Sequence, residues 1–243
     1  MIINDQRPWP APTKSWIMKQ SWRDLLFVHY PVKHETLRPH IPMELEIDTY
    51  DDYAWISIVP FLMSGIRFRG TPAIPVISQF PELNVRTYVK SGDKPGVYFF
   101  SLDAMSALAV FFGNTFFHLP YVYSKMSMDR QADQRFVYES IRSGGIHKFK
   151  GSYRPVSKVY QAIEGSLDYW LVERYCLYSK GNNQLYLSEI NHEPWQLQNV
   201  EYEIIENSVV HLPEINIGAP YCAHYCKRID VHVWPLEPVA SRG

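Results

Sequence analysis

The stretch Glu82-Leu83-Asn84-Val85-Arg86-Thr87-Tyr88-Val89 decides the fold class. Leu83, Val85, Thr87 and Val89 occupy every second position, and Glu82, Asn84, Arg86 and Tyr88 fall between them. Successive side chains of a strand point to opposite faces, so this period of two is a strand with one apolar and one largely polar face. Ser91-Gly92-Asp93-Lys94 is a turn, and Val97 to Phe100 returns as a second strand, which makes a hairpin. Glu82, Asn84 and Arg86 share a face and allow two readings. They form either a solvated face with a Glu–Arg pair or the wall of a polar cavity. In the cavity, a buried Glu82 can act as general acid or base and Arg86 can clamp a substrate carboxylate.

Outward from this hairpin the chain continues to read as mainly β. Tyr53 to Phe61 alternates as a strand, and Trp22 to Val32 reads as a short helical turn running into a strand. Lys33 to His40 is a brief helix, and Arg67 to Pro75, with Gly70, Pro72 and Pro75, is a loop. Downstream, Ser101 has the chemistry of a helix N-cap. Leu102, Met105, Leu108, Ala109, Phe112 and Phe116 follow at helical spacing, and Pro120 ends the helix. Tyr121 to Met126, Leu167 to Tyr178, Leu185 to Asn191 and Tyr221 to Trp234 are further strands, with a turn at Asn182-Asn183. Many strands with one central helix predict an α+β fold: a mainly antiparallel sheet or barrel with a helix packed on it. No repeat and no Gly/Ser-rich linker divides the chain, so residues 1–243 are read as one domain.

Composition narrows the function. Of the 243 residues 46% are hydrophobic and 20% charged, enough to bury a sizeable core and too apolar for disorder. Aromatic residues reach 15%, which suits strands or an aromatic-lined cavity. A formal net charge of −1 argues against a nucleic-acid partner. Met1 to Pro12 lacks the apolar core of a signal peptide, and the longest apolar stretch, Ala104 to Phe117, is too short to span a membrane. Three cysteines without framework spacing fit a reduced, cytoplasmic setting. No G-x-S-x-G, phosphate-binding glycine loop or dinucleotide fingerprint is present, and no cofactor is expected.

Six segments carry a family resemblance: Trp22 to Val32, Phe80 to Val89, Pro95 to Ala104, Leu119-Pro120-Tyr121, Glu173 to Tyr178 and His192 to Gln198. They resemble the YqjF-like family of uncharacterised bacterial proteins, itself similar in fold to acetoacetate decarboxylase. The resemblance implies a cone-shaped antiparallel β barrel with surrounding sheet and a few helices, a pocket inside the cone, and possible self-association as a homo-oligomer. Phe80-Pro81-Glu82 matches the aromatic-x-Glu of the decarboxylases, and Gly113 and Pro120 match their Gly and Pro. The two positions after that Pro, lysines in the decarboxylases, are Tyr121 and Val122. Tyr and Val cannot form an imine, and Lys125 lies about 13 Å along a strand from Tyr121.

The remaining constellations have bland readings beside their functional ones. His192 titrates near neutrality and Trp195 can wall a pocket, yet both also suit a tight turn and a core. Tyr98, Tyr121 and Tyr123 offer hydroxyl donors or simple packing; Tyr121 stands where the decarboxylases keep their nucleophile. Glu173 and Arg174 read as neighbours on opposite strand faces, with a structural ion pair. Cys222, His224 and Cys226 alternate on one strand, a poor geometry for zinc, and no metal is expected. The sequence thus predicts a protein that binds a small organic acid, carbonyl or aromatic compound. Catalytic Glu82 and Tyr121 and substrate-binding Arg86, Asn84, Tyr98, His192 and Trp195 would serve proton-transfer or lyase chemistry. The alternatives are a non-catalytic binder or sequestering protein, and an interaction module.

Overall fold

The computed structural model describes residues 7–72 and 79–239. The chain enters as β1 (Met18–Val32), a short helix α1 (His34–Leu37) and a 3-10 turn (Arg38–His40). It continues through β2 (Glu46–Ile47), β3 (Ala54–Phe68), β4 (Gln79–Ser91) and β5 (Lys94–Ala104). Helix α2 (Ala107–Phe117) leads to an arm of β6 (Tyr121–Arg130), β7 (Phe136–Arg142) and β8 (Lys148–Pro155). Helix α3 (Leu167–Val172) precedes β9 (Cys176–Gly181), β10 (Gln184–Asn191), β11 (Leu197–Gln198) and β12 (Val200–Asn207). The last strands are β13 (Cys222–Val233) and β14 (Glu237–Pro238).

Strand pairing closes on itself. The order β5-β9-β10-β13-β1-β3-β4 returns to β5 through the β4–β5 hairpin, so these strands form a barrel. From β5 the sheet also extends outward through β6, β7, β8 and β12. Two pairings, β5–β6 and β5–β9, are parallel, so the sheet is mixed and not wholly antiparallel. A parallel pair needs a crossover rather than a tight turn, and α2 supplies it between β5 and β6.

This layout explains why β4 has no solvated face. Its Phe80 and Tyr88 belong to the core inside the barrel, whereas Leu83, Val85 and Val89 pack outside it. That outer core is sealed by Met126, Phe136, Tyr138, Phe149 and Tyr153 of the arm. Burial on both faces holds β4 in register at both, because a slip of one residue would exchange the two sets.

Several sequence readings need correction. Trp22 to Val32 holds no helical turn: β1 runs through it and breaks register against β3 between Arg23 and Val28, with Asp24 at φ 50°. β3 extends to Phe68, so the loop expected over Arg67 to Pro75 begins later; its last residues, 73–75, lie outside the described residues. Ser101 is in β5, not at a helix start. Pairing with β4 carries β5 to Ala104, and Ser106 caps α2 by accepting from the Ala109 amide at 3.2 Å. The run from Leu167 begins as α3, because Ser166 caps it and Asp168 lies in its first turn. Asn182 and Asn183, at φ 51° and 60°, form the β9–β10 turn as expected.

Candidate functional site

The barrel interior holds a cavity of about 540 Å³. β4 runs along its wall. Phe80 pairs with Met63 at one end, and Arg86 pairs with Ser57 at the other, six residues or about 20 Å away. Met18, Ile66, Phe68 and Leu236 surround the wide end, and α2 covers one side with Phe112, Gly113 and Phe116. At the narrow end Arg86 lies over the rings of Phe27 and Tyr88, and Arg174 lies 5.0 Å over Tyr88. The walls between are mainly apolar.

The inward residues of β4 line this cavity in the order Phe80, Glu82, Asn84, Arg86. Glu82 is 2% exposed. Burial raises its carboxyl to about 8, against the lowering effect of hydrogen bonds from Tyr121 and Asn84, with Asp103 adding a smaller upward push. The Tyr121 hydroxyl donates to Glu82 Oε2 at 3.2 Å. Burial also holds the Tyr121 phenol well above its usual range, with Glu82 reinforcing it, so it remains a proton donor.

Two features of α2 place Tyr121. The Asn114 side chain accepts from the Tyr121 amide at 2.8 Å and donates to its carbonyl at 3.2 Å. The tyrosine ring lies against Gly113 so closely that a Cβ there would meet ring carbon Cδ2 at 2.2 Å. Glycine is required at 113 by this approach.

The floor carries uncompensated polarity. Arg174 pairs with Asp48 at 2.5 Å and donates from Nε to the Trp170 carbonyl at 2.7 Å. Arg86 has no carboxylate partner among the described residues; its Nη2 reaches the Leu171 carbonyl at 3.4 Å, and its Nε finds no protein partner. Asn84 Oδ1, Arg174 Nη2 and Trp195 Nε1 are likewise buried without one.

The other expected site residues divide. His192 and Trp195 line the cavity. His192 stacks on Tyr175 at 4.6 Å, and its Nδ1 lies 2.8 Å from the Glu193 carbonyl, so the packed reading describes its contacts. Trp195 lies edge-on to Phe27 at 5.0 Å. Tyr98 points away from the barrel interior and lines a separate depression with His118, Pro120 and Lys180. Lys125 is exposed on β6, and no lysine lines the main cavity among the described residues. Glu173 and Arg174 do not form a pair. Both follow α3 and are buried, and Glu173 accepts from the Trp195 amide and the Tyr175 hydroxyl.

Beyond the floor the narrow end is filled by a hydrogen-bonded column that spacing did not disclose. Tyr88 Oη lies 2.6 Å from Ser57 Oγ, and Ser57 Oγ lies 2.7 Å from His29 Nδ1. His29 Nε2 lies 3.3 Å from His224 Nδ1, and His224 Nε2 lies 2.9 Å from Asp168 Oδ1. Burial, aided by His224 and Arg86, lowers His29 well below its usual value, so its ring is neutral. The Asp168 carboxylate accepts from His224 Nε2, so the run links Tyr88 to Asp168 without a break. His224 thus serves this column, and among the described residues no group of three or more His, Cys, Asp or Glu is arranged to hold a metal ion.

Comparison with known proteins agrees with this architecture. The family of uncharacterized conserved proteins DUF2071 matches residues 19–230. Uncharacterized protein YqjF of Bacillus subtilis (strain 168) is 46% identical over 228 residues, covering 93% of this chain and 94% of that protein. Among solved structures, the enduracididine biosynthesis enzyme MppR complexed with pyruvate aligns over 98% of this chain and 95% of its own, with a TM-score of 0.66 and 12% identity. Acetoacetate decarboxylase from Legionella pneumophila aligns over 98% and 94%, with a TM-score of 0.65 and 11% identity. The chain belongs to the DUF2071 family and has an acetoacetate-decarboxylase-like fold.

Proposed function

We propose that this member of the DUF2071 family binds a small organic acid or carbonyl compound inside the barrel and transfers a proton at Glu82 without a Schiff-base lysine. The observation that carries this reading is the charge of the cavity. Arg86 is 8% exposed, carries an orphan Nε and has no carboxylate partner among the described residues, and burial holds the nearby Glu82 carboxyl up at about 8. A buried charge without a partner is costly, and a ligand carboxylate on Arg86 removes that cost. The pyruvate complex of MppR, on the same fold, supports a ligand that carries a carboxylate.

Glu82 is suited to move a proton. Burial raises its carboxyl to about 8, close to neutral pH, so both the acid and the base form are accessible. The Tyr121 hydroxyl orients Oε2 and stays protonated while the carboxyl cycles. The absence of lysine at positions 121 and 122 removes imine chemistry. That loss also favours the second reading, a non-catalytic binder.

A thermal-shift screen of keto acids, hydroxy acids, ketones and phenols tests the proposal. A ligand at 100 times its dissociation constant stabilises the fold by about 2.7 kcal/mol. The expected hit is an acid whose effect disappears in Arg86→Met. Incubation should convert it in the parent protein but not in Glu82→Gln. A hit recovered unchanged from the parent protein establishes the binder. Binding that ignores Arg86→Met sinks the acid reading.

A further inference from the structure

We infer that the ligand is an elongated monocarboxylate with an apolar alkyl or aryl-alkyl tail, held head-down in the barrel; this rests on the acid-binding reading above. The cavity has polarity at its blind end and along one wall, and almost none elsewhere. Arg86 and Arg174 form the floor, and directly beneath them Tyr88, Ser57 and His29 fill the barrel with no solvent exposure. A ligand therefore enters from the wide end, and its anion must travel to the floor to meet a cation.

From Arg86 back to Phe80 the path is about 20 Å along β4. Glu82 lies about 13 Å along the backbone from Arg86, so the clamp and the proton-transfer group address parts of the ligand several bonds apart. Nearer the opening the walls are Met18, Met63, Ile66, Phe80 and Phe116, with Gln20 as the polar exception. A volume of about 540 Å³ lies in the range that holds a drug-sized ligand. A three-carbon acid on Arg86 would leave that apolar upper chamber without an occupant. An alkyl or aryl tail fills it and buries the half-exposed rim ring of Phe116.

Calorimetric titration of butanoate, hexanoate, octanoate and decanoate, with 1-decanol as the uncharged control, reads this directly. Affinity should tighten about fourfold per methylene until the tail reaches the rim. Arg86→Met should weaken every acid by a similar factor of at least about tenfold, leave the dependence on length intact, and leave decanol unchanged. Phe116→Glu, at an exposed rim position, should weaken decanoate and spare butanoate. Equal affinity at every length, with short keto acids still bound through Arg86, overturns the elongated ligand and preserves the small-acid reading. No binding by any acid, or decanol bound as tightly as decanoate, overturns both. Equal weakening of butanoate and decanoate by Phe116→Glu overturns the head-down orientation.

Discussion

Two buried polar clusters share the barrel interior and differ in completeness. In the column below the floor, the five side chains from Tyr88 to Asp168 form an unbroken run of hydrogen bonds. Above the floor, Arg86 Nε, Arg174 Nη2, Asn84 Oδ1 and Trp195 Nε1 are buried and unmatched. Both clusters contain charged or titratable groups at low exposure, so burial does not tell them apart. Satisfaction does: a completed network rigidifies a core, whereas donors and an acceptor left without a protein partner around an open cavity remain available to whatever enters it. The Ser–His–His–Asp sequence of the column resembles a catalytic relay, but Ser57 and His29 are fully buried and contribute nothing to the cavity lining.

Variants at the two clusters should therefore behave oppositely. The largest effect falls on turnover: Glu82→Gln should lower the rate on an identified substrate by about 100- to 10,000-fold with the fold intact, as read by steady-state kinetics and circular dichroism. Next, His29→Leu should cost about 2–3 kcal/mol in urea denaturation, because it interrupts the column and strands a buried His224 nitrogen. Asp168→Asn should cost about 1 kcal/mol, since water can reach the part-exposed end of the column. The smallest effect belongs to Arg86→Met, which should leave the stability of the ligand-free protein near neutral or slightly higher. A large loss there would mean that Arg86 is a structural cation and would erase the contrast.

The pH dependence sharpens the same distinction. Glu82 has a folded value raised from about 4.5 to about 8, so the native state holds its proton where the unfolded chain releases it. Its favourable contribution is complete below about 4.5 and is lost as pH rises toward 8. Denaturation of the parent and Glu82→Gln proteins between pH 5 and 8 should show the variant gaining stability relative to the parent as pH rises. A constant difference would show that Glu82 is ionised throughout.

The sequence and the structure meet most closely on β4. Alternation placed Glu82, Asn84 and Arg86 on one face, and they do line one cavity, because a buried strand keeps strict parity. The extra residue at this hairpin, where Val85 pairs with Ser101 and Arg86 with Phe99, falls on β5 and leaves β4 parity intact. Local patterns failed where pairing overrode them. Ser101 has cap chemistry, but hydrogen bonding to β4 carries β5 past it to Ala104, and Ser106 caps α2 instead. Leu167 to Val172 mixes aromatic and aliphatic residues that suit either a strand or a buried helix, and the Ser166 cap with Asp168 in the first turn favours the helix.

By itself the sequence determined a mainly β chain, the parity of β4, the Glu82–Asn84–Arg86 face and the absence of an imine-forming lysine after Pro120. These follow from local chemistry and a period of two. Tertiary structure alone decided that both faces of β4 are buried, that Arg174 joins Arg86 at the floor, and that His29, Ser57, His224 and Asp168 meet. Those residues come from β1, β3, β13 and α3, and only closure of the barrel brings such distant segments within hydrogen-bond distance.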